Sequence, residues 1–177
     1  MRNYKCFCPN MQLFEFSGII ENGNGEKMNI AVGCDHGGFA LKQIVIGELK
    51  SMGHTIVDCG ARSLDPTDDY PDFAHAVGAA IQRDDAERGI VTCGSGVGAS
   101  IAATKMRGIR AAVCHDTYSA RQGVEHDDMN VLCLGARIVG DEWAKELVRA
   151  FVTARFTGEE RHRRRLDKVL DIEKNKQ

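Results

Sequence analysis

Residues Gly89 to Ser100 read Gly-Ile-Val-Thr-Cys-Gly-Ser-Gly-Val-Gly-Ala-Ser, an apolar run that ends on Cys93 and turns through Gly94, Gly96 and Gly98 into an alanine-rich helical pattern. Those are the parts of a strand, an anion-binding turn and a helix start. Glycine lets backbone approach a ligand closely, and the first N–H groups of a helix have no partner within it. The turn therefore presents donors and the positive end of the helix dipole. A thiol in that field has its thiolate favoured, which makes Cys93 a candidate nucleophile or general base.

Spacing removes most competing meanings of this turn. A dinucleotide fingerprint would follow the first strand, no Lys-Ser/Thr pair completes a phosphate loop, and Ser95 is flanked two residues away by Cys93 and Val97 rather than by glycines. A thiol phosphatase loop would end on arginine where Ala99 stands. Two readings survive: a turn that binds an anion or oxyanion beside a cysteine, and a tight turn that serves only strand–helix packing.

Other residues able to do chemistry recur at predicted strand ends. Cys34, Cys59, Cys114 and Cys133 read as buried thiols, since only Cys93 adjoins a glycine turn. Asp35-His36-Gly37-Gly38 follows the first strand, His115 the fourth, Arg137 the fifth, and His126 lies in Glu125-His-Asp-Asp128 ahead of the fifth. His54 and His75 fall within a strand start and a helix and read as structural. Arg161 and Arg165, four apart, project from one helix face and are able to clamp a phosphate. A solvated basic face is the plainer alternative for that run.

Elements that would position these residues alternate from Met28 onward. Strands are expected at Asn29–Cys34, His54–Cys59, Ile90–Cys93, Ile109–Cys114 and Asn130–Leu134. Helices are expected at Phe39–Met52, around Phe73–Ile81, briefly near Tyr118, over Asp141–Phe156 with Trp143, Leu147, Ala150, Phe151 and Ala154 inward, and from Glu159, where Leu166, Val169 and Leu170 would dock. Short apolar strands separated by helices imply one parallel α/β sheet covered on both faces. Ligands of such sheets sit outside the carboxyl ends of the strands, where the residues above gather.

The chain of 177 residues suits a single domain, and a net charge of −2 argues against nucleic acid as partner. No apolar run reaches the ~20 residues of a membrane span, and polar residues interrupt the N-terminal stretch, so the expected location is cytoplasmic. The seven cysteines are odd in number and lack CxxC spacing, which favours free thiols over a disulfide framework. Cys6-x-Cys8 reads as two unpaired thiols. Residues 1–27 show no sustained period and read as an N-terminal extension, either a flexible tail or an upstream start, ahead of a domain over 28–177.

From Met28 to about Lys174 the chain resembles the ribose-5-phosphate isomerase B family and its relatives, the galactose-6-phosphate isomerase subunits. The motifs are Gly33-Cys-Asp-His-Gly-Gly38, Asp69-Tyr-Pro-Asp72, Cys93-Gly-Ser-Gly-Val-Gly98, Gly108-Ile-Arg-Ala111, Glu125-His126, Asn130-Val-Leu132, Gly135-Ala-Arg137 and Arg161-His-x-x-Arg165. The resemblance implies a flavodoxin-like αβα sandwich, dimeric or tetrameric with sites shared between subunits. It further implies an aldose–ketose isomerase that works without metal or other cofactor on a phosphorylated sugar. Cys93 would then move the proton between C2 and C1, Ser95 would assist proton movement between the oxygens, and His126 would open the furanose ring. Backbone N–H groups from Gly94 through Gly96 and Val97 to Gly98 would hold the enediolate oxygen. Asp35 and His36 would bind the sugar, and Arg137, Arg161 and Arg165 the phosphate. Asp127 stands where the family usually carries a substrate-contacting Asn, and a carboxylate cannot donate as an amide does. Tetrose, pentose and hexose phosphates are therefore all open as substrates, and so is a binding module of this fold that has lost turnover.

Overall fold

A computed structural model describes residues 26–175. The expectations for the first 25 residues, Cys6 and Cys8 included, lie outside the described part.

Along the chain run β1 (Asn29–Cys34), a single 3-10 turn (His36–Gly38), α1 (Phe39–Ser51), β2 (Thr55–Asp58), α2 (Tyr70–Gln82) and β3 (Arg88–Cys93). They are followed by α3 (Val97–Ala103), β4 (Ala111–Val113), α4 (Thr117–Asp127), β5 (Val131–Gly135), α5 (Asp141–Thr153) and α6 (Glu160–Lys174). The five strands form one parallel sheet in the order β2-β1-β3-β5-β4. This is the covered parallel α/β sheet that the residue pattern predicts.

In flavodoxin order the fourth strand would lie beside the third; here β5 takes that place and β4 forms the edge. Composition accounts for it. All residues of β5 are buried, whereas β4 is only three residues long and half-buried throughout. The more apolar strand occupies the interior, and the short one tolerates the edge.

Side chains alternate between two cores. Ile30, Val32, Ile90, Leu132 and Leu134 face α1, α4 and α5, where Leu49, Val124, Leu147 and Phe151 meet them. Ala31, Val91, Cys93, Val131 and Cys133 face α2 and α3, packed by Ala74, Val77, Ala99 and Ala103. Small residues on this second face let α2 and α3 lie close to the strand ends that carry the glycine turn.

Three expectations change here, the first being that Val169 docks inward: it is 51% exposed. Trp143 is 45% exposed and donates its indole N–H to His115 O at 2.9 Å, because the inward stripe of α5 is Ala144, Leu147, Val148 and Phe151. Trp143 stands one residue, about 100°, off that stripe. The segment near Tyr118 is a full helix of 11 residues, started by Asp116 accepting from Ser119 N at 2.7 Å and ended by Asp128 in the left-handed region, φ 52°. His126 and Asp127 therefore ride on its last turn.

Arg88 ties the sheet to the end of α5. Its guanidinium donates to Phe151 O and, at 2.8 Å, to Ala154 O, and burial lowers its pKa to about 10. Arg88→Met should cost about 1–3 kcal/mol of unfolding free energy in urea titration, because both carbonyls lose their donor. A change below about 0.5 kcal/mol would mean that water replaces the guanidinium without penalty.

Candidate active site

Where the order reverses, β1 leads outward to β2 and β3 leads the other way to β5, so the carboxyl ends of β1 and β3 border a crevice. A cleft of about 350 Å³ lies there, lined by Asp35, His36, Tyr70, Cys93, Ser95 and Arg137 together with Gly37, Gly94, Gly98 and Ile138. Each segment is fixed by backbone bonds to its neighbours. Cys34 N donates to Gly60 O at 2.8 Å and Ala61 N returns a bond to Cys34 O at 2.9 Å, which anchors the end of β1. Ala136 N donates to Cys93 O at 2.8 Å and Arg137 N to Gly94 O at 3.0 Å, which sets Arg137 beside the glycine turn.

Within the turn, Gly96 N donates to Cys93 Sγ at 3.1 Å and Val97 N to Ser95 Oγ at 3.3 Å. The first of these stabilises sulfur most when it carries the negative charge. The N–H groups of Gly96 and Val97 thus serve the cysteine and the serine, and Gly94, Ser95 and Gly98 line the cleft. Gly96 caps α3 at φ 81°, a conformation that a side chain would strain. A Cβ on Gly98 would come within 2.7 Å of the Tyr70 ring, so the α2 start closes tightly over the turn.

The other four described cysteines lie outside the cleft. Burial pushes the thiols of Cys34, Cys59 and Cys133 up, and Cys114 to about 11, so they remain protonated and inert near neutrality. His54 behaves as a core residue, accepting from Met28 N at 3.3 Å with its pKa lowered by burial.

Four of the expected site residues stand elsewhere in the chain. His126 on α4 bonds through Nδ1 with Gln122 Nε2 at 2.8 Å and stacks on His162 of α6, ring centroids 4.0 Å apart. His162 is buried, its Nδ1 2.7 Å from Thr157 Oγ1, and burial followed by the neighbouring His126 lowers its pKa. Asp127 lines a separate groove of about 620 Å³ with Arg107, Ala112, Met129, Val169 and Leu170. Arg161, paired with Glu159 at 2.7 Å, and Arg165 are exposed on α6.

Residue type and spacing assign no role to Tyr70, Asp68, Lys42 or His162. Tyr70 had a signal in Asp69-Tyr-Pro-Asp72, the motif that opens α2. Lys42 had none: a lysine on an apolar helix face reads as solvated, yet it is buried and donates to Asp58 and, at 3.0 Å, to Ala61 O.

Among proteins of known family, residues 30–169 match the model described as Ribose/Galactose Isomerase. The chain is 44% identical over 147 residues to ribose-5-phosphate isomerase B of Escherichia coli, covering 83% of this chain and 97% of that one. D-erythrulose-4-phosphate isomerase of Pectobacterium atrosepticum is 42% identical over 134 residues, 74% of this chain and 86% of the other. Among solved structures, Clostridium thermocellum ribose-5-phosphate isomerase B superposes with a TM-score of 0.82 at 44% identity, over 85% of this chain and all (100%) of that one.

Proposed function

The chain belongs to the ribose/galactose isomerase family, and we propose that it interconverts ribose 5-phosphate and ribulose 5-phosphate through an enediolate, with Cys93 as the base. The observation that carries this reading is the bond from Gly96 N to Cys93 Sγ at 3.1 Å, inside a cleft that also holds Asp35, His36 and Arg137.

Isomerisation needs a positioned base for a weakly acidic α-hydroxycarbonyl proton and fixed donors where negative charge develops. Cys93 takes the proton from C2 and returns it to C1. The N–H groups of Gly94, Ser95 and Gly98 face the enediolate oxygen, and the Ser95 hydroxyl, already accepting from Val97 N, passes a proton between the two oxygens. Asp35 and His36 hold the sugar. The chemistry is carried by protein groups alone, without a metal.

His126 opens the furanose ring, and Arg161 and Arg165 join Arg137 on the phosphate, all three of the former supplied by a second copy of the chain. Two features support a homodimer with shared sites. The cleft of one chain lacks these residues, and apolar Val97, Ile101, Val169 and Ile172 are each more than half exposed, at 51%, 56%, 51% and 58%. Among the described residues no helix is long and apolar enough to cross a membrane, and a cytoplasmic location is proposed with the rest.

Incubation with ribose 5-phosphate in deuterated water is expected to give ribulose 5-phosphate with solvent deuterium at C1 and exchange at C2 of the aldose. Absence of exchange on every tetrose, pentose and hexose phosphate offered overturns the isomerase reading and leaves a binding module. A preference for a tetrose phosphate is the second reading, supported by the Pectobacterium relative.

A further inference from the structure

His36 is gripped from outside the cleft. Asp68 Oδ1 accepts from His36 N at 2.9 Å and lies 2.7 Å from His36 Nδ1, so one carboxylate oxygen holds both the backbone and the ring of the same residue. Asp68 itself does not line the cleft. It sits in the long loop between β2 and α2, where Asp65 accepts from Thr67 N at 2.9 Å and Thr67 Oγ1 at 2.7 Å, and Asp68 N donates to Asp65 O at 3.2 Å. The side chain of Asp68 is 11% exposed, and its Oδ2 is buried and meets no donor among the described residues. A carboxylate placed so lends its charge chiefly to the histidine.

A carboxylate only accepts, so the nitrogen facing Asp68 must carry the proton. Nδ1–H is thereby fixed, and Nε2 is the ring nitrogen left for the cleft. Resting on the isomerase reading above, we propose that Asp68 is a positioning residue for the reaction: it locks His36 as the Nδ1–H form with Nε2 turned toward a sugar oxygen. The titratable and charged groups around the ring are Asp35 beside it, Asp65 and Asp68 on the loop, and Cys93 and Arg137 lining the same cleft. The bond to Asp68 raises the His36 pKa, with Asp35 adding to it. The neutral ring accepts through Nε2, and a protonated ring would donate there.

Three variants separate geometry from charge: Asp68→Asn keeps an acceptor oxygen, Asp68→Ala removes it, and His36→Asn assigns the resonances. In the full-length protein, ¹⁵N NMR of the imidazole is expected to show Nδ1–H in wild type and Asp68→Asn, and a shift toward Nε2–H in Asp68→Ala. The His36 pKa should fall in both Asp68 variants, since each loses the negative charge. On the sugar phosphate that wild type turns over, Asp68→Ala should lower kcat/KM about 10–100-fold and Asp68→Asn less, with no further loss when Asp68→Ala is added to His36→Asn. An unchanged His36 tautomer and pKa in Asp68→Ala overturns the proposal whatever the activity. So does a changed ring with unchanged kcat/KM, or an equal Asp68→Ala loss in the His36→Asn background. Should wild type turn over no sugar phosphate, the isomerase reading fails, while the NMR result still reports on the pair.

Discussion

Replacing Cys93 with alanine is expected to lower kcat on ribose 5-phosphate by about 10²–10⁴-fold, the share that a positioned base contributes, with little change in KM. The proposed sugar and phosphate contacts, Asp35, His36 and Arg137, come from separate strand ends and do not depend on the sulfur. Substrate should therefore bind while its C2 proton stays in place, and deuterium exchange at C2 should fall in parallel with turnover. The structural cost is modest: Gly96 N, whose bond is buried, loses its acceptor at about 1–3 kcal/mol, and thermal melting of the variant checks it. Cys93→Ser is the sharper comparison. A hydroxyl of similar shape still accepts from Gly96 N but is a far weaker acid than a thiol, so it should keep the fold and lose the rate. A fall below tenfold in both variants, with exchange retained, moves the base to another residue.

The sequence carried the strands that define the cleft because their demands are local. β1, β3 and β5 are apolar runs that end on, or within two residues of, a side chain able to do chemistry, and the sheet puts those ends side by side whatever the helices do. Asp35, His36, Cys93, Gly94, Ser95, Gly98 and Arg137 accordingly meet in one cleft. What was not legible depends on relations between distant residues. The β5-before-β4 order follows from comparing the length and apolar side chains of two strands, not from either one. The pattern of α4 looks short because Gly123 and a polar run weaken it, though Asp116 and Asp128 bound the helix well. Asp68 looks like any turn aspartate until the loop folds back onto His36, and His162 looks like one more charge in a basic run until it is buried under His126.

A mixture of two crippled chains is expected to recover activity that neither has alone. One chain carries Cys93→Ala; the other carries His126→Asn with Arg165→Met, changes at exposed or half-buried positions of α4 and α6. Each parent should be down about 100-fold or more, the first for want of a base and the second for want of ring opening and phosphate clamping. In a two-fold dimer whose cleft takes α4 and α6 from its partner, a hybrid has one site with every change and one with none. Random exchange of equal amounts makes half of the dimers hybrids, so activity should return to about a quarter of wild type. Native mass spectrometry establishes that hybrids have formed. Hybrids without recovered activity would place His126 and Arg165 at the cleft of their own chain, which requires α4 and α6 to close across the sheet edge. A chain that stays monomeric and active would require the same.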